Sequence, residues 1–339
     1  MGRLIYTPFE DIPQRYTTMW NAAVKRCLSE DDLYVATDET SQVIRTGEFL
    51  DTYGTISYKM RQVEKISSMF KDGLIRDGDI FFIPDIFYPG IEAIKYMAEL
   101  TGIKVKIATF NHAGRADEDD FVQKLSLWAD TQEKAWHEMS DLVLVGSFYQ
   151  KKRVQSKFHT DKIAVTGAIW DKTWMDSMCE GIDKEKEDYI IYPHRPCREK
   201  RFDFFLDCAR ANPQLRFVIT SCGLSRLNTN DLPRNVEYRY GLTKKQYFET
   251  FAKASGYLST AYQETFGYTL QEAIYFGCKV VCPNYACYPE YAAAESIVDF
   301  DAMKKPGFLT ELFLHSNDLT RSKQFEDNAK TVIELIKTL

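Results

Sequence analysis

The sequence predicts an α/β chain of two doubly wound, parallel-sheet domains facing each other across a cleft. Three observations carry this. Apolar runs of strand length alternate with amphipathic helical stretches along almost all 339 residues. The strand runs are short and continuously apolar, the pattern of strands covered on both faces. The alternation stops near residue 171 and restarts near residue 188, and a chain of this length has room for two domains.

In the first half, strands are expected at residues 4–8, 33–37, 80–84, 105–110, 142–146 and 163–166, with helices at 16–28, 58–70, 90–100 and 121–139. In the second half, strands are expected at 189–193, 216–220, 236–240, 256–260 and 279–283, with helices at 202–211, 244–254 and 269–276. Residues 171–187 are charged and weakly patterned, and read as a linker. Residues 318–339 read as a last helix with no strand after it, packing back on the first domain. The domains are therefore 1–170 and 188–317. In such folds ligands bind at the carboxyl ends of the strands.

Composition narrows the function. The chain is 45% hydrophobic and 27% charged with a net charge of −6, normal for a globular enzyme and unsuited to holding nucleic acid or an acidic membrane by bulk charge. The eight cysteines form no CxxC pair and several lie in apolar runs, where a thiol behaves as a small hydrophobe. No apolar run approaches the roughly 18–20 residues that span a bilayer. The first residues lead directly into a strand rather than a signal peptide. A reducing, cytoplasmic setting is expected. No GxGxxG follows the first strand and no GxxxxGK[ST] occurs, which weakens dinucleotide and P-loop readings.

The most informative stretch is Glu264-Thr265-Phe266-Gly267-Tyr268-Thr269-Leu270-Gln271-Glu272-Ala273. It lies between two strand runs, so Glu264 falls in a strand-to-helix loop and Glu272 about one turn into the helix. A helix N-terminus offers free N–H groups and a positive dipole end to an anion. Carboxylates beside it and along it can hold polyol hydroxyls. Phosphate between two polyols describes a nucleotide sugar.

Four segments in order resemble the two-domain GT-B retaining glycosyltransferases, in particular their family four. Tyr192-Pro193-His194-Arg195-Pro196-Cys197-Arg198-Glu199-Lys200 is similar to that family's strand and loop with Arg, four residues, then Lys. Arg234 through Gly241 is similar to the segment bordering the nucleobase, and Glu264 to Glu272 to the EX7E motif with its Phe-Gly step. Pro289-Glu290 matches a Pro-Glu that follows. In the first half, Thr109-Phe110-Asn111-His112 resembles a strand ending in a histidine, and Glu133 with Ser140 through Ser147 resembles a later pattern. The resemblance covers roughly residues 105–295. The family's Gly-Gly loop after the first strand is replaced by Phe9 through Arg15, and its next Gly-rich turn by Ser221-Cys222-Gly223-Leu224.

The resemblance implies two Rossmann-like domains, the first on the acceptor side and the second binding the nucleotide sugar. It implies catalytic roles for Glu264, His112, Arg195 and Lys200. Donor contacts are implied for Glu272, Phe266, Gly267, Thr269, Leu270 and Tyr240. Glu264 would hold the donor sugar, Glu272 the ribose, and Arg195 with Lys200 the diphosphate. The donor is a UDP-sugar by the same resemblance, with no metal and no other cofactor. Asp117-Glu118-Asp119-Asp120 contains an Asp-x-Asp, but its place before a helical stretch reads as a helix start. His194 reads as structural. Lys151-Lys152-Arg153 with Lys157 reads as a solvated helix face.

Two acceptors compete. One is a hydroxymethylated pyrimidine in DNA, as in bacteriophage enzymes of this architecture, which would place the chain in the infected host's cytoplasm. Pro13, Gln14, Arg15, Tyr16, Tyr53 and Tyr58 would then supply phosphate and base contacts. The other is a hydroxyl of a glycolipid or surface polysaccharide. Residues 1–170 carry 21 Lys+Arg against 25 Asp+Glu, a net of about −4, which disfavours anionic membranes and also strong duplex binding. The reading leans to DNA. A nucleotide-sugar epimerase and a non-catalytic binding subunit of the same architecture are the alternatives to transfer.

Overall fold

The computed structural model describes residues 2–12, 15–38, 54–221 and 227–339. The chain forms two compact units, residues 1–174 with 327–339, and residues 175–326.

Unit 1 begins with β1 (Leu4–Tyr6), whose three side chains are fully buried. Helix α1 (Thr17–Cys27) follows, its buried Trp20, Ala23 and Val24 at helical spacing and Lys25 and Arg26 at its dipole-favoured last turn. Then come β2 (Leu33–Tyr34), α2 (Thr55–Lys71), β3 (Ile80–Ile83), α3 (Ile91–Thr101), β4 (Lys106–Asn111), α4 (Trp128–Met139), β5 (Leu142–Val145), α5 (Phe148–Phe158) and β6 (Ile163–Val165). The sheet order is β2-β1-β3-β4-β5-β6, every pair parallel.

Helix α6 (Lys172–Met178) opens the stretch expected to be a plain linker. The Asp171 side chain accepts from the Trp174 amide at 2.8 Å and starts that turn, a capping signal that charge density had masked. Unit 2 continues with β7 (Glu187–Tyr192), α7 (Phe202–Ala211), β8 (Phe217–Ser221), β9 (Val236–Tyr240), α8 (Lys244–Lys253), β10 (Ala254–Leu258), α9 (Tyr268–Tyr275), β11 (Lys279–Pro283), α10 (Tyr288–Tyr291), β12 (Ile297–Val298), α11 (Phe300–Met303) and α12 (Phe308–His315). Its order is β12-β11-β10-β7-β8-β9, again all parallel. Each sheet thus reverses its strand order once, as doubly wound folds do.

Two expected helices are corrected. Residues 121–139 form a 3-10 turn at Phe121–Lys124 and a separate α4. The Arg115 guanidinium takes the carbonyls of Val122 and Leu125, each at 3.2 Å, and so removes them from a continuous helical ladder. Residues 318–339 form a 3-10 turn at Asp318–Thr320 and a helix only at α13 (Ala329–Ile336). Between them Phe325 inserts its ring against Phe266 and Tyr291, at 5.1 and 5.6 Å. Helix α13 packs on α1, and Lys337 pairs with the buried Asp32 at 2.6 Å.

Candidate active site

In unit 2 the strand order reverses between β7 and β10. The loops leaving these two neighbours open a crevice at their carboxyl ends, where open α/β sheets bind ligands. The β7 loop carries His194 to Lys200, and the β10 loop carries Ser259 to Gly267. The β7 loop's main chain is held from both sides: Tyr192 Oη, at the end of β7, and Thr260 Oγ1, in the β10 loop, donate to the Lys200 carbonyl at 2.7 and 2.9 Å, and the Tyr262 amide donates to the Glu199 carbonyl at 3.2 Å.

This brings together two residues expected in separate motifs. Lys200 Nζ donates to Glu264 Oε1 at 2.8 Å and to the Gln263 carbonyl at 2.7 Å. Both side chains are mostly shielded, at 14% and 17% exposure, so they attract each other more strongly than a surface pair. Arg195 shares the loop, but its half-exposed guanidinium bonds Glu199 Oε1 at 2.6 Å. A phosphate would have to exchange with that carboxylate.

Gly267 begins α9 with φ of +77°, a left-handed conformation that favours glycine. The Leu270 and Gln271 amides return to the Gly267 carbonyl, so the amides of Gly267, Tyr268 and Thr269 precede the first intrahelical bond. The side chains of Phe266 and Leu270 are buried in the core, Phe266 among Tyr268, Tyr291 and Phe325. Neither side chain reaches a ligand, and the Leu270 amide is already bonded to the Gly267 carbonyl. Thr269 is half-buried, with its hydroxyl 3.0 Å from Tyr257 Oη.

Glu272 is the fifth residue of α9 and is buried. Its Oε2 accepts from Tyr247 Oη at 2.5 Å, and Lys244 Nζ lies 3.6 Å from Oε1. Tyr247 and Lys244 were not singled out in the sequence. The signal was present: Thr243 and Gln246 form a capping box that fixes Lys244 as the first residue of α8. Tyr247 then follows three positions later on the same face. Tyr240 ends the edge strand β9, its ring 6.0 Å from that of Tyr238.

His112 and Arg15 belong to unit 1. His112 directly follows β4, and its Nε2 lies 2.9 Å from the Pro84 carbonyl, so this nitrogen carries the proton and donates. The imidazole sits among the rings of Phe9, Tyr16, Trp20 and Phe110, with centroids 4.5–5.8 Å away. Burial lowers its pKa below the ordinary histidine value, against the opposing pull of Asp85. A neutral imidazole with Nε2 protonated presents Nδ1 as an acceptor. Arg15 lies in the turn before α1 and is half-buried. The loop after His112 is set by Glu133, fully buried on α4, which accepts from the Asn111 side chain at 3.2 Å and the Arg115 amide at 2.8 Å. A Cβ at Gly114 would meet Glu133 Oε1 at 2.4 Å, so only glycine fits there.

Asp120 caps the 3-10 turn by accepting from the Val122 amide, in keeping with the helix-start reading. Among the described residues no group of three or more His, Cys, Asp and Glu side chains is arranged to hold a metal ion. Arg153 and Lys157 are anchored, to the Ala116 carbonyl at 2.9 Å and to Asp130 at 2.8 Å. Tyr58 is buried and its hydroxyl bonds the Phe9 carbonyl at 3.3 Å, so it is not an exposed contact. Pro13, Gln14, Tyr53 and Cys222 to Leu224 lie outside the described residues. No described helix is long and apolar enough to cross a membrane.

Two six-stranded parallel sheets, each with its own helices, define the GT-B glycosyltransferase fold. Solved structures similar to this chain share it. A UDP-forming alpha,alpha-trehalose-phosphate synthase from Burkholderia vietnamiensis matches 100% of this chain and 99% of its own, with TM-score 0.66 and 12% identity. The Anabaena protein HepE, solved with UDP, matches 100% and 98%, with TM-score 0.58 and 12% identity. By sequence, the Drosophila melanogaster tRNA-queuosine alpha-mannosyltransferase is 28% identical over 123 residues. That match spans 33% of this chain and 33% of the fly protein. No protein-family model matches the chain.

Proposed function

We propose that the chain is a glycosyltransferase that moves a sugar, with retention of anomeric configuration, from a nucleoside diphosphate sugar to a hydroxyl on a modified nucleobase. The observation that carries the donor side is the Lys200–Glu264 pair beside the N-terminus of α9. An ammonium and helix amides suit a diphosphate, and a carboxylate in contact with them suits the sugar hydroxyls. HepE was solved with UDP, and the trehalose-phosphate synthase is described as UDP-forming. Both support a UDP-sugar as donor.

In this reading the C1–O bond to the phosphate breaks and its electrons leave with the diphosphate. The acceptor oxygen bonds C1 on the same face, and its proton passes to the departing phosphate oxygen. Lys200, Arg195 and the first amides of α9 meet the charge that grows on the leaving group, where stabilisation lowers the barrier most. No metal ion is needed for that role. Glu264 orients the sugar, Glu272 takes the ribose, and neutral His112 accepts a hydrogen bond from a substrate hydroxyl. Arg15 contacts the acceptor.

The fly relative acts on a modified nucleoside of tRNA by its name, which supports a nucleobase acceptor. Hydroxymethylated pyrimidine in DNA belongs to the same chemical class. The test is nucleotide release from UDP-, GDP- and ADP-sugars, with EDTA, in the presence of queuosine-containing tRNA, hydroxymethylated DNA, their unmodified controls, a glycolipid or a polysaccharide. Release that depends on one modified nucleic acid is expected. Release driven only by lipid or saccharide acceptors would overturn the acceptor reading, and no release from any donor would overturn the whole.

A further inference from the structure

Behind Thr269 runs a buried polar chain that the donor-site reading leaves unused. His194, at 3% exposure, follows β7 and immediately precedes Arg195. Its Nε2 lies 2.9 Å from Ser259 Oγ and 3.5 Å from Tyr257 Oη. Tyr257 Oη in turn lies 3.0 Å from Thr269 Oγ1, at the second residue of α9. Ser259 Oγ is also 2.5 Å from Tyr288 Oη and accepts from the Ala261 amide at 3.3 Å. His194, Tyr257, Ser259 and Tyr288 are buried, while Thr269 is half-buried and ends the chain at the helix N-terminus.

We propose that His194 is a positioning residue for the leaving diphosphate, acting through Tyr257 to aim the Thr269 hydroxyl proton at a phosphate oxygen. This rests on the reading of the α9 N-terminus as the diphosphate site.

Proton order decides which way the Thr269 hydroxyl points. Each hydroxyl has a single proton to donate. If His194 Nε2 carries its proton, it donates to Ser259. Tyr257 is then free to donate to Thr269, and Thr269 keeps its own proton for the ligand. If Nε2 were instead a lone pair, it would draw a proton from Ser259 at 2.9 Å or from Tyr257 at 3.5 Å, and in the second case the order reverses. Tyr257 would then accept from Thr269, and Thr269 would turn a lone pair toward the phosphate. The first order attracts an anion and the second repels it. The site also keeps the imidazole neutral, because burial first, and then the neighbouring Lys200 and Arg195 charges, hold its pKa well below the ordinary value. A neutral ring has one protonated nitrogen, so its tautomer can set the direction of the chain.

The test is a double-mutant cycle read by binding. The ligands are the nucleoside diphosphate that wild type binds best among UDP, GDP and ADP, and the matching nucleoside, measured by competition. Tyr257→Phe and Thr269→Val should each weaken the diphosphate about tenfold while leaving the nucleoside unchanged. The Tyr257→Phe/Thr269→Val double variant should bind no worse than Thr269→Val alone. Thr269→Ser should retain affinity. His194→Gln, which can place a donor near the Nε2 position, should bind better than His194→Leu. Wild-type-like binding by Tyr257→Phe, additive costs, or equal losses for diphosphate and nucleoside would overturn the proposal and leave the donor site standing. Failure of wild type to bind any nucleoside diphosphate would overturn both.

Discussion

Lys200 and Glu264 stand 64 positions apart and share a 2.8 Å hydrogen bond. They come from the loops of two neighbouring parallel strands at the point where the sheet order reverses. The pair sets the two opposite charges against each other at the mouth of the crevice. A ligand that replaces it must present an anion to the lysine and hydroxyls to the carboxylate at once, which selects a sugar joined to a phosphate over either part alone.

Replacing Lys200 should therefore cost diphosphate affinity. Lys200→Met removes the ammonium and leaves Glu264 shielded without its cation. We expect nucleoside diphosphate binding to weaken by about tenfold or more, the scale of one charged hydrogen bond. Titration calorimetry against wild type measures this. Unchanged affinity would remove Lys200 from the site.

Glu272 should read the ribose. Its contacts with Tyr247 and Lys244 hold the carboxylate in one orientation. Wild type should bind a 2′-deoxynucleoside diphosphate at least about tenfold more weakly than the ribonucleotide. Glu272→Ala should lose that preference, and Tyr247→Phe should reduce it. Equal discrimination in all three proteins would place the ribose elsewhere.

The acid side of the stability profile should report the buried histidines. His112 and His194 both have native pKa values below the unfolded value, through burial. Below about pH 6.5 the unfolded chain takes up protons at these positions that the native chain does not. Native stability therefore falls as pH drops through that range and is fully present above it. Urea midpoints at about pH 7.5 and pH 5 should differ less in His112→Gln than in wild type. An unaltered difference would mean that the ring is not held neutral.

Much of this was legible in the sequence. Strand-length runs placed eleven of the twelve described strands, most of them because a strand buried on both faces has no polar alternation to confuse it; the half-buried edge strand β9 alternates instead. The two-residue β12, bounded by Ser296 and Asp299, carries too few residues to register as a pattern. The Phe266-Gly267 step located the α9 N-terminus, since a left-handed residue and a buried anchor are both local demands. The joining of Lys200 to Glu264 was not legible, because each motif is local and only the strand order makes them neighbours. Nor was the turning of Arg195 toward Glu199, which depends on a competing charge four residues away. The His194 chain was missed for a similar reason. Its members Ser259, Tyr257 and Thr269 each satisfy an ordinary strand or helix pattern, and only their packing joins them.

The most direct test of the donor site is nucleoside diphosphate release by wild type and Glu264→Gln, with the acceptor that supports the highest wild-type rate. Glutamine keeps the volume and one acceptor oxygen but removes the charge beside Lys200. The kcat of Glu264→Gln is expected to fall by about a hundredfold or more, with a melting temperature within a few degrees of wild type. Release by Glu264→Gln at the wild-type rate would contradict the donor site.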